Sequence, residues 1–201
     1  MSRVRLDKVI IFDMEMTCWE DLPPTGETSE PIQIGIVEWN PTTLKVERTE
    51  DIFIKPKLSR ISECCTNLTG INHHMTKKAR PLHEVCNSLR KHYGGIRKPW
   101  MAWGDDKTAL QEACSKLGAA LPFEGPYIDL GLMWTILYGS AKSVGLRKAM
   151  TLSGLEFIGT PHRALDDAIN TTKLFAHMSN ELKLNVKSVK ESLNEQPSPN
   201  F

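Results

Sequence analysis

The sequence predicts an α/β domain built on a mixed sheet, and three observations carry this prediction. A short apolar run at residues 8–13 is typical of a buried strand near the start of the domain. Two further strand patterns follow with short connections, which indicates an antiparallel meander. Beyond residue 98, short strand patterns alternate with helical ones, and a run of strands followed by such alternation is typical of a mixed sheet.

Composition limits the class of protein. A chain of 201 residues suits one domain and can bury a core without disulfides or a structural metal. With 40% hydrophobic and 24% charged residues, it is neither disordered nor collagen-like. The 25 basic residues nearly balance the 24 acidic ones, so any nucleic acid must be held by local contacts or through metal ions.

Cysteine usage and hydropathy indicate the compartment. The five cysteines contain no CxxC pair, which argues against a disulfide framework or a zinc site and favours a reducing cytoplasm. No apolar stretch approaches the length of a membrane span, and the first residues lack a signal-peptide pattern. We therefore expect a cytoplasmic protein that makes no membrane contact.

The strand patterns are separated by clear turn signals. Residues 20–31 are rich in Pro, Gly, Glu and Thr and are predicted to form a loop. A second strand pattern covers residues 32–37 and ends before Asn40 and Pro41, and a third covers residues 46–54. Two more short strands are predicted at residues 99–103 and 127–130.

Apolar residues recur at helical spacing in several segments of the second part of the chain. This spacing predicts helices at residues 62–69, 80–92, 105–118, 130–138, 144–152 and 164–184. Gly118 is a natural end for the helix predicted at residues 105–118. Because the end of the chain is polar and contains Pro, we predict one domain over residues 1–184 and a flexible tail over residues 185–201.

Two acidic residues follow the first strand pattern. Asp13 and Glu15 are two residues apart, so both carboxylates share one face if the strand continues. By itself, such a pair is also typical of an ordinary strand that runs into a polar loop. An acidic face on a central strand needs a counter-charge, however, and a divalent cation would supply it.

A second acidic pair precedes the helix pattern of residues 105–118. One of its members could simply cap the helix, which is the usual role of Asp at that position. Asp106 shares a helix face with Leu110 and Cys114 and should point toward the protein body, whereas Asp105 shares a polar face. We favour Asp106 as the inward acid and keep Asp105 as the alternative.

The third acidic segment joins a turn to the last helix pattern. Asp167 lines up with Leu174 and Met178, so it should face the core, while Asp166 should face solvent. His162 lies five residues before Asp167. Four carboxylates that converge would repel one another unless they share cations. Two Mg²⁺ ions can clamp the attacking and leaving oxygens of a phosphodiester, and a neutral His can take a proton from water.

These motifs, in this order, resemble the DEDDh group of DnaQ-like 3′–5′ exonucleases. The resemblance runs from about residue 7 to residue 180. It is closest to the Eri-like exonucleases, which trim RNA 3′ ends. That closer match is carried by the segments FDMEMTCWE, Leu68-Thr69-Gly70-Ile71, Trp103-Gly104-Asp105 and HRALDDA.

The resemblance implies an RNase H-like fold with a five-stranded mixed sheet flanked by helices. It implies two Mg²⁺ ions, which Mn²⁺ can replace, held by Asp13, Glu15, Asp106 (or Asp105) and Asp167. It also implies His162 as the general base. The activity implied is metal-dependent release of nucleoside 5′-monophosphates from the 3′ end of single-stranded RNA, and DNA is a further candidate substrate.

Residues beside the metal ligands are expected to border the terminal nucleotide of the substrate. The residues expected to do so are Met14, Met16, Thr17, Leu68, Gly70 and Ile71. Nucleic acid is the expected partner, and a protein partner remains open. Two other functions are considered: a non-catalytic nucleic-acid-binding module with the same fold, and a DNA proofreading exonuclease.

Overall fold

A six-stranded mixed sheet forms the centre of the computed structural model, which describes residues 8–94, 98–140 and 142–194, with side chains through residue 182. The strands are β1 (Val9–Met16), β2 (Pro31–Asn40), β3 (Lys45–Lys55), β4 (Arg80–Pro81), β5 (Trp100–Ala102) and β6 (Tyr127–Asp129). Their order across the sheet is β4-β3-β2-β1-β5-β6. The first three strands pair antiparallel, as predicted, and the other three join in parallel.

Helices cover both faces of this sheet. They are α1 (Glu63–Thr69), α2 (His73–Thr76), α3 (Leu82–Tyr93), α4 (Asp106–Leu117), α5 (Leu130–Leu137), α6 (Leu146–Leu152) and α7 (Ala164–Asn194). Among these described helices, none is both long enough and apolar enough to cross a bilayer. The predicted α/β class and mixed sheet are confirmed.

The structure differs from the sequence prediction at three elements. The expected count of five strands is wrong by one, because Arg80 and Pro81 pair in parallel with Ile54 and Lys55. The helix predicted from residue 80 therefore begins at Leu82, with Pro81 as its N-cap. The four-residue α2 was not predicted, since one turn is too short to show a helical period; the Asn72 side chain caps it by accepting from the His74 and Met75 N–H groups.

The last helix is longer than its sequence pattern indicated. It was predicted to end at residue 184, and the backbone of α7 continues as helix to Asn194. Residues 195–201 of the expected tail lie outside the described residues. The division of the chain at residue 184 stays a prediction.

Strand β1 is buried on both faces, which explains its continuous apolar run. On one face, Ile10 and Phe12 pack in a core shared with α3 and α4, where Trp100 stacks on Phe123 with ring centroids 4.7 Å apart. On the other face, Val9 and Ile11 belong to a core shared with α5, α6 and α7. The central strand is therefore held from both sides, and its carboxyl end becomes a rigid platform.

Helix α7 begins in direct contact with β2. A Cβ atom added at Gly35 would lie 2.3 Å from backbone atoms of Ala164 and Leu165, so only glycine fits there. The buried Gln33 side chain accepts a hydrogen bond from the Ala164 N–H (3.1 Å) and donates one to Asp51 (2.6 Å). These contacts place the first turn of α7 over the carboxyl end of β1.

We expect Gly35→Ala to destabilise the fold by about 3 kcal/mol, because overpacking against a helix backbone that cannot move away is costly. Gly145→Ala is the matched control, since Gly145 has a φ of −66° and no atom within 4 Å of an added Cβ. Its free energy of unfolding should change by about 1 kcal/mol or less. Urea denaturation of both variants measures the difference, and equal midpoints would contradict the assigned contact.

Candidate active site

Three carboxylates from two elements meet at the carboxyl end of β1. Asp13 and Glu15 share the face of β1 that α7 covers, as their spacing predicted. Asp167 lies in the first turn of α7. One carboxylate oxygen from each of the three residues lies within 4.8 Å of the others.

A fourth carboxylate joins this group from α4. Asp106 is the first residue of that helix, and its charge raises the pKa of both Asp13 and Glu15. Asp105 is exposed and precedes the helix without a capping hydrogen bond from its side chain. Of the two residues that the sequence left as alternatives, the structure places Asp106 beside the other acids.

The turn before α4 is held by two residues that the sequence analysis did not single out. Gly104 has a φ of +92°, a conformation that favours glycine. Its N–H donates to Asp129 Oδ1 (3.1 Å), and its carbonyl accepts from the Tyr127 hydroxyl (3.0 Å). Asp129 also caps α5, and an Asp just before an apolar helix pattern was the signal that could have revealed it.

Two neighbouring acids in the first turn of α7, Asp166 and Asp167, point in different directions. Asp166 turns away from the cluster and accepts a hydrogen bond from the Thr160 N–H (2.8 Å). Asp167 accepts from the Arg163 N–H (3.1 Å) and faces Asp13 and Glu15. His162 is exposed and has a φ of +62°. Burial raises the pKa of Asp167, and the charge of His162 is among the smaller causes that lower it, so the two side chains are neighbours.

The crowded acids have unusual proton affinities. Burial, followed by repulsion from Asp106, Asp167 and Glu15, raises the pKa of Asp13 well above its ordinary value. Burial and then its acidic neighbours raise the pKa of Glu15 to about 8, and similar causes raise that of Asp106 to about 7. Arg163 lowers the pKa of Glu15, but as the smallest of the contributions.

This donor set fits a divalent metal ion. Converging carboxylate oxygens are the ligands that Mg²⁺ and similar hard cations prefer. An ion there would supply the counter-charge that Arg163 alone does not provide. The cluster is therefore a candidate metal centre.

The residues expected to contact substrate fall into two groups. Leu68 is exposed, and with Gly70, Thr160 and Arg163 it borders a cavity of about 420 Å³ next to the acids. Gly70 ends α1 with a φ of +70°. Arg163, whose charge lowers the pKa of Glu15, connects this cavity to the acidic cluster.

The other expected contacts are directed inward. Ile71 is fully buried, Met14 is nearly so, and Met16 packs partly against the core. The Thr17 hydroxyl accepts from the Glu30 N–H (2.9 Å) and donates to the Thr28 carbonyl (3.3 Å). These side chains support the site from beneath, and Thr17 attaches the loop of residues 20–30 to the end of β1.

Comparison with models of protein families identifies the family of this chain. A sequence model for RNase T, described as an exonuclease, matches residues 10–175, which includes all four clustered acids and His162. This chain belongs to the RNase T exonuclease family. The predicted resemblance to DEDDh exonucleases, with Eri-like proteins nearby, is confirmed, as is the expectation of an exonuclease at the level of the family. Enzymes of this family use divalent ions, which agrees with the acidic cluster.

Individual relatives support the same family. ERI1 exoribonuclease 2 from Homo sapiens is 28% identical over 98% of this chain and 32% of the human protein. The 3′-5′ exonuclease Snipper from Drosophila melanogaster is 29% identical over 85% of this chain and 68% of the fly protein. The chain spans about a third of the length of the first curated relatives that it matches.

Solved structures confirm the predicted RNase H-like fold. The nuclease domain of 3′hExo, a DEDDh family member bound to rAMP, superposes with a TM-score of 0.78. The two chains are 24% identical, and the match covers 90% of this chain and 95% of the other.

The raised pKa values predict a stability that depends on pH and on divalent ions. The folded chain holds protons on Glu15 and Asp106 that the unfolded chain has lost, so stability is highest at acidic pH and falls as pH rises toward 8. Without metal, we expect the melting temperature to drop by about 5 °C between about pH 5 and pH 8.

Millimolar Mg²⁺ or Mn²⁺ should reverse this loss, and its stabilising effect should be larger at the higher pH because metal ligands must be deprotonated. Thermal melts with EDTA or with metal, at both pH values, measure the effect. A melting temperature that is independent of metal at pH 8 would contradict the assignment of this cluster as a metal centre.

Proposed function

We propose that this chain is a 3′–5′ exoribonuclease that removes nucleoside 5′-monophosphates from the 3′ end of single-stranded RNA. The observation that carries the proposal is the meeting of Asp13, Glu15 and Asp167 within 4.8 Å, with Asp106 beside them. A phosphodiester carries negative charge and would be repelled by four acids alone, so these acids serve it through cations. Two Mg²⁺ ions, for which Mn²⁺ can substitute, are the proposed cofactors.

Each clustered acid has a defined place in the mechanism. Asp13 and Glu15 hold the metal pair from the rigid end of β1, Asp106 from the start of α4 and Asp167 from the first turn of α7. The bound ions supply Lewis acidity to the phosphate and make the attacking water more acidic. Asp105 has no ligand role in this proposal, because its side chain is exposed, whereas Asp106 is partly buried beside the other acids.

His162 acts as the general base. Its side chain is exposed at the edge of the cluster, next to Asp167, where an attacking water can be reached. The imidazole takes the proton of that water as the new P–O bond forms. The bond to the 3′ oxygen of the preceding nucleotide breaks, and that oxygen takes a proton from solvent, while His162 later releases to solvent the proton that it accepted.

RNA is the proposed substrate because of the proteins to which this chain is similar. Its relatives include proteins named exoribonucleases, and the related nuclease domain of 3′hExo was crystallised with rAMP, a ribonucleotide. The terminal base is placed in the cavity beside Leu68 and Gly70, where Arg163 is positioned to contact phosphate. The five free cysteines agree with the proposed cytoplasmic location.

A paired digestion tests this function. Labelled single-stranded RNA and DNA of one sequence are incubated with the protein and Mg²⁺ or Mn²⁺, and the products are separated by size. We expect RNA to shorten from its 3′ end in a metal-dependent ladder that EDTA abolishes, with DNA cut more slowly. Asp106→Asn should lower the rate about 100-fold or more, because it removes a charged ligand.

Asp105→Asn is the matched control for the neighbouring acid, and its rate should stay within about threefold of wild type because Asp105 lies outside the cluster. If the two variants lost the same activity, the ligand assignment would be wrong. Tight binding of RNA without any cleavage would favour the non-catalytic binding module. Faster digestion of DNA than of RNA would favour a proofreading-type exonuclease.

The general base has a separate test. We expect His162→Ala to lower kcat about 100-fold or more with little change in the thermal midpoint, because the side chain is exposed and acts on the reacting water. His177→Ala is the matched control, since His177 lies on α7 beside Glu181 and away from the acids. An unchanged kcat in His162→Ala would remove this residue from the mechanism.

A further inference from the structure

A cluster of cations lies on the surface where β3 and β4 end. Its six members are Lys55, Lys57, Arg60, Lys77, Lys78 and Arg80, which we call the β3–β4 basic patch. The whole chain has a formal net charge of only +1, so this surface concentrates positive charge that is balanced elsewhere. The mechanism proposed above uses none of these residues.

The side chains of the patch are exposed and uncommitted. All six residues are exposed, and none forms an ion pair within the part of the chain that the structure describes. Two acids that contact this surface are engaged with backbone: Glu30 accepts from the N–H groups of Lys57, Leu58 and Ser59, and Glu27 from that of Arg60. These cations are therefore available to an anionic partner.

Two lysines of the patch border a depression in the surface. A cavity of about 450 Å³ is lined by Lys55, Pro56, Lys57, Ala79 and Pro81. Its lining combines proline and alanine side chains with two exposed lysines. A cavity that combines apolar side chains with cations suits a chain of sugars and phosphates better than a single small anion.

Sheet register places Lys55 of the patch on the same edge as the acidic cluster. Glu15 is opposite Gln33 on β2, and Gln33 is opposite Phe53 on β3. Lys55 follows two residues later, so it lies on the same face of the sheet as Glu15. Two strand spacings and two residues separate them, which amounts to about 12 Å.

Helix α1 connects the patch to the proposed terminal-base cavity. Arg60 lies just before this helix, and Leu68 and Gly70 lie at its other end, about 10 Å away. Lys77 and Lys78 follow α2, which comes directly after Ile71 and Asn72. The patch residues on both sides of α1 and α2 are therefore close in the chain to the residues that line the terminal-base cavity.

We propose that the β3–β4 basic patch binds the phosphate backbone of the substrate strand on the 5′ side of the nucleotides held at the acidic cluster. This inference rests on the proposed function and extends it to substrate length. A strand with its 3′ end at the cluster passes the Leu68 cavity and then crosses the exposed cations. Nucleic acid is favoured over an anionic membrane because Lys55 and Lys57 line a depression and Lys55 shares a sheet edge with the candidate metal centre.

The test compares a long and a short substrate. We measure kcat and KM for single-stranded RNA of about 20 nucleotides and for a dinucleotide, whose single phosphodiester is the one cleaved and leaves no phosphate for the patch. In Lys77→Gln/Lys78→Gln we expect KM for the long RNA to rise about tenfold. The slope of log KM against log salt concentration should be smaller by about 1.4 than in wild type. The kcat/KM for the dinucleotide should stay unchanged.

Lys45→Gln/Lys91→Gln is the matched control, because it removes two exposed lysines from elsewhere on the surface. Its KM for long RNA should equal that of wild type. The inference is overturned if the two double variants behave alike, or if the patch variant loses activity on the dinucleotide as well. It is also overturned if only binding to phosphatidylserine vesicles, and not to RNA, is lost.

Failure of the proposed function gives a different result. In that case the wild-type protein cleaves neither substrate, and fluorescence anisotropy with labelled RNA still tests the patch. Loss of RNA affinity in Lys77→Gln/Lys78→Gln alone would then support the patch without the activity. Equal affinity in all three proteins would overturn it.

Discussion

The site depends on one packing contact, in which the backbone of the first turn of α7 lies against Gly35 of β2. The absence of a side chain at that position lets the helix backbone approach β2 closely, and Gln33 fixes the approach by accepting from the Ala164 N–H. One helical turn later, this approach brings Asp167 over the acids of β1. A β-carbon at residue 35 would move the helix away and separate ligands that are far apart in the chain.

Bringing these acids together is electrostatically unfavourable, because their charges repel one another. Buried carboxylates close together raise one another's pKa, and the values of about 8 for Glu15 and about 7 for Asp106 show how unfavourable full ionisation is without a cation. Strand β1 can carry the charges because it is packed on both faces and cannot easily move. Rigidity of the apolar core and affinity for divalent ions are therefore two consequences of the same arrangement.

Acidic and basic residues form separate groups along the carboxyl edge of the sheet, although the chain is nearly neutral overall. Acids collect at the end of β1, Arg163 and the Leu68 cavity lie beside them, and exposed cations occupy the ends of β3 and β4. The antiparallel meander makes this separation possible, since β1 and β3 run in the same direction with β2 between them. Net charge alone would have hidden both the candidate metal centre and the basic patch.

The sequence by itself determined the class of fold, the main strands and the inward direction of the acids. Periods of two and 3.6 residues depend only on local geometry, and they correctly indicated that Glu15 shares a face with Asp13 and that Asp106 and Asp167 point inward. Only the tertiary structure decided the sixth strand at Arg80–Pro81, the support of Gly104 by Asp129 and Tyr127, and the burial of Thr17 and Ile71. These features depend on residues that are distant in the chain and near in space, so no local pattern records them.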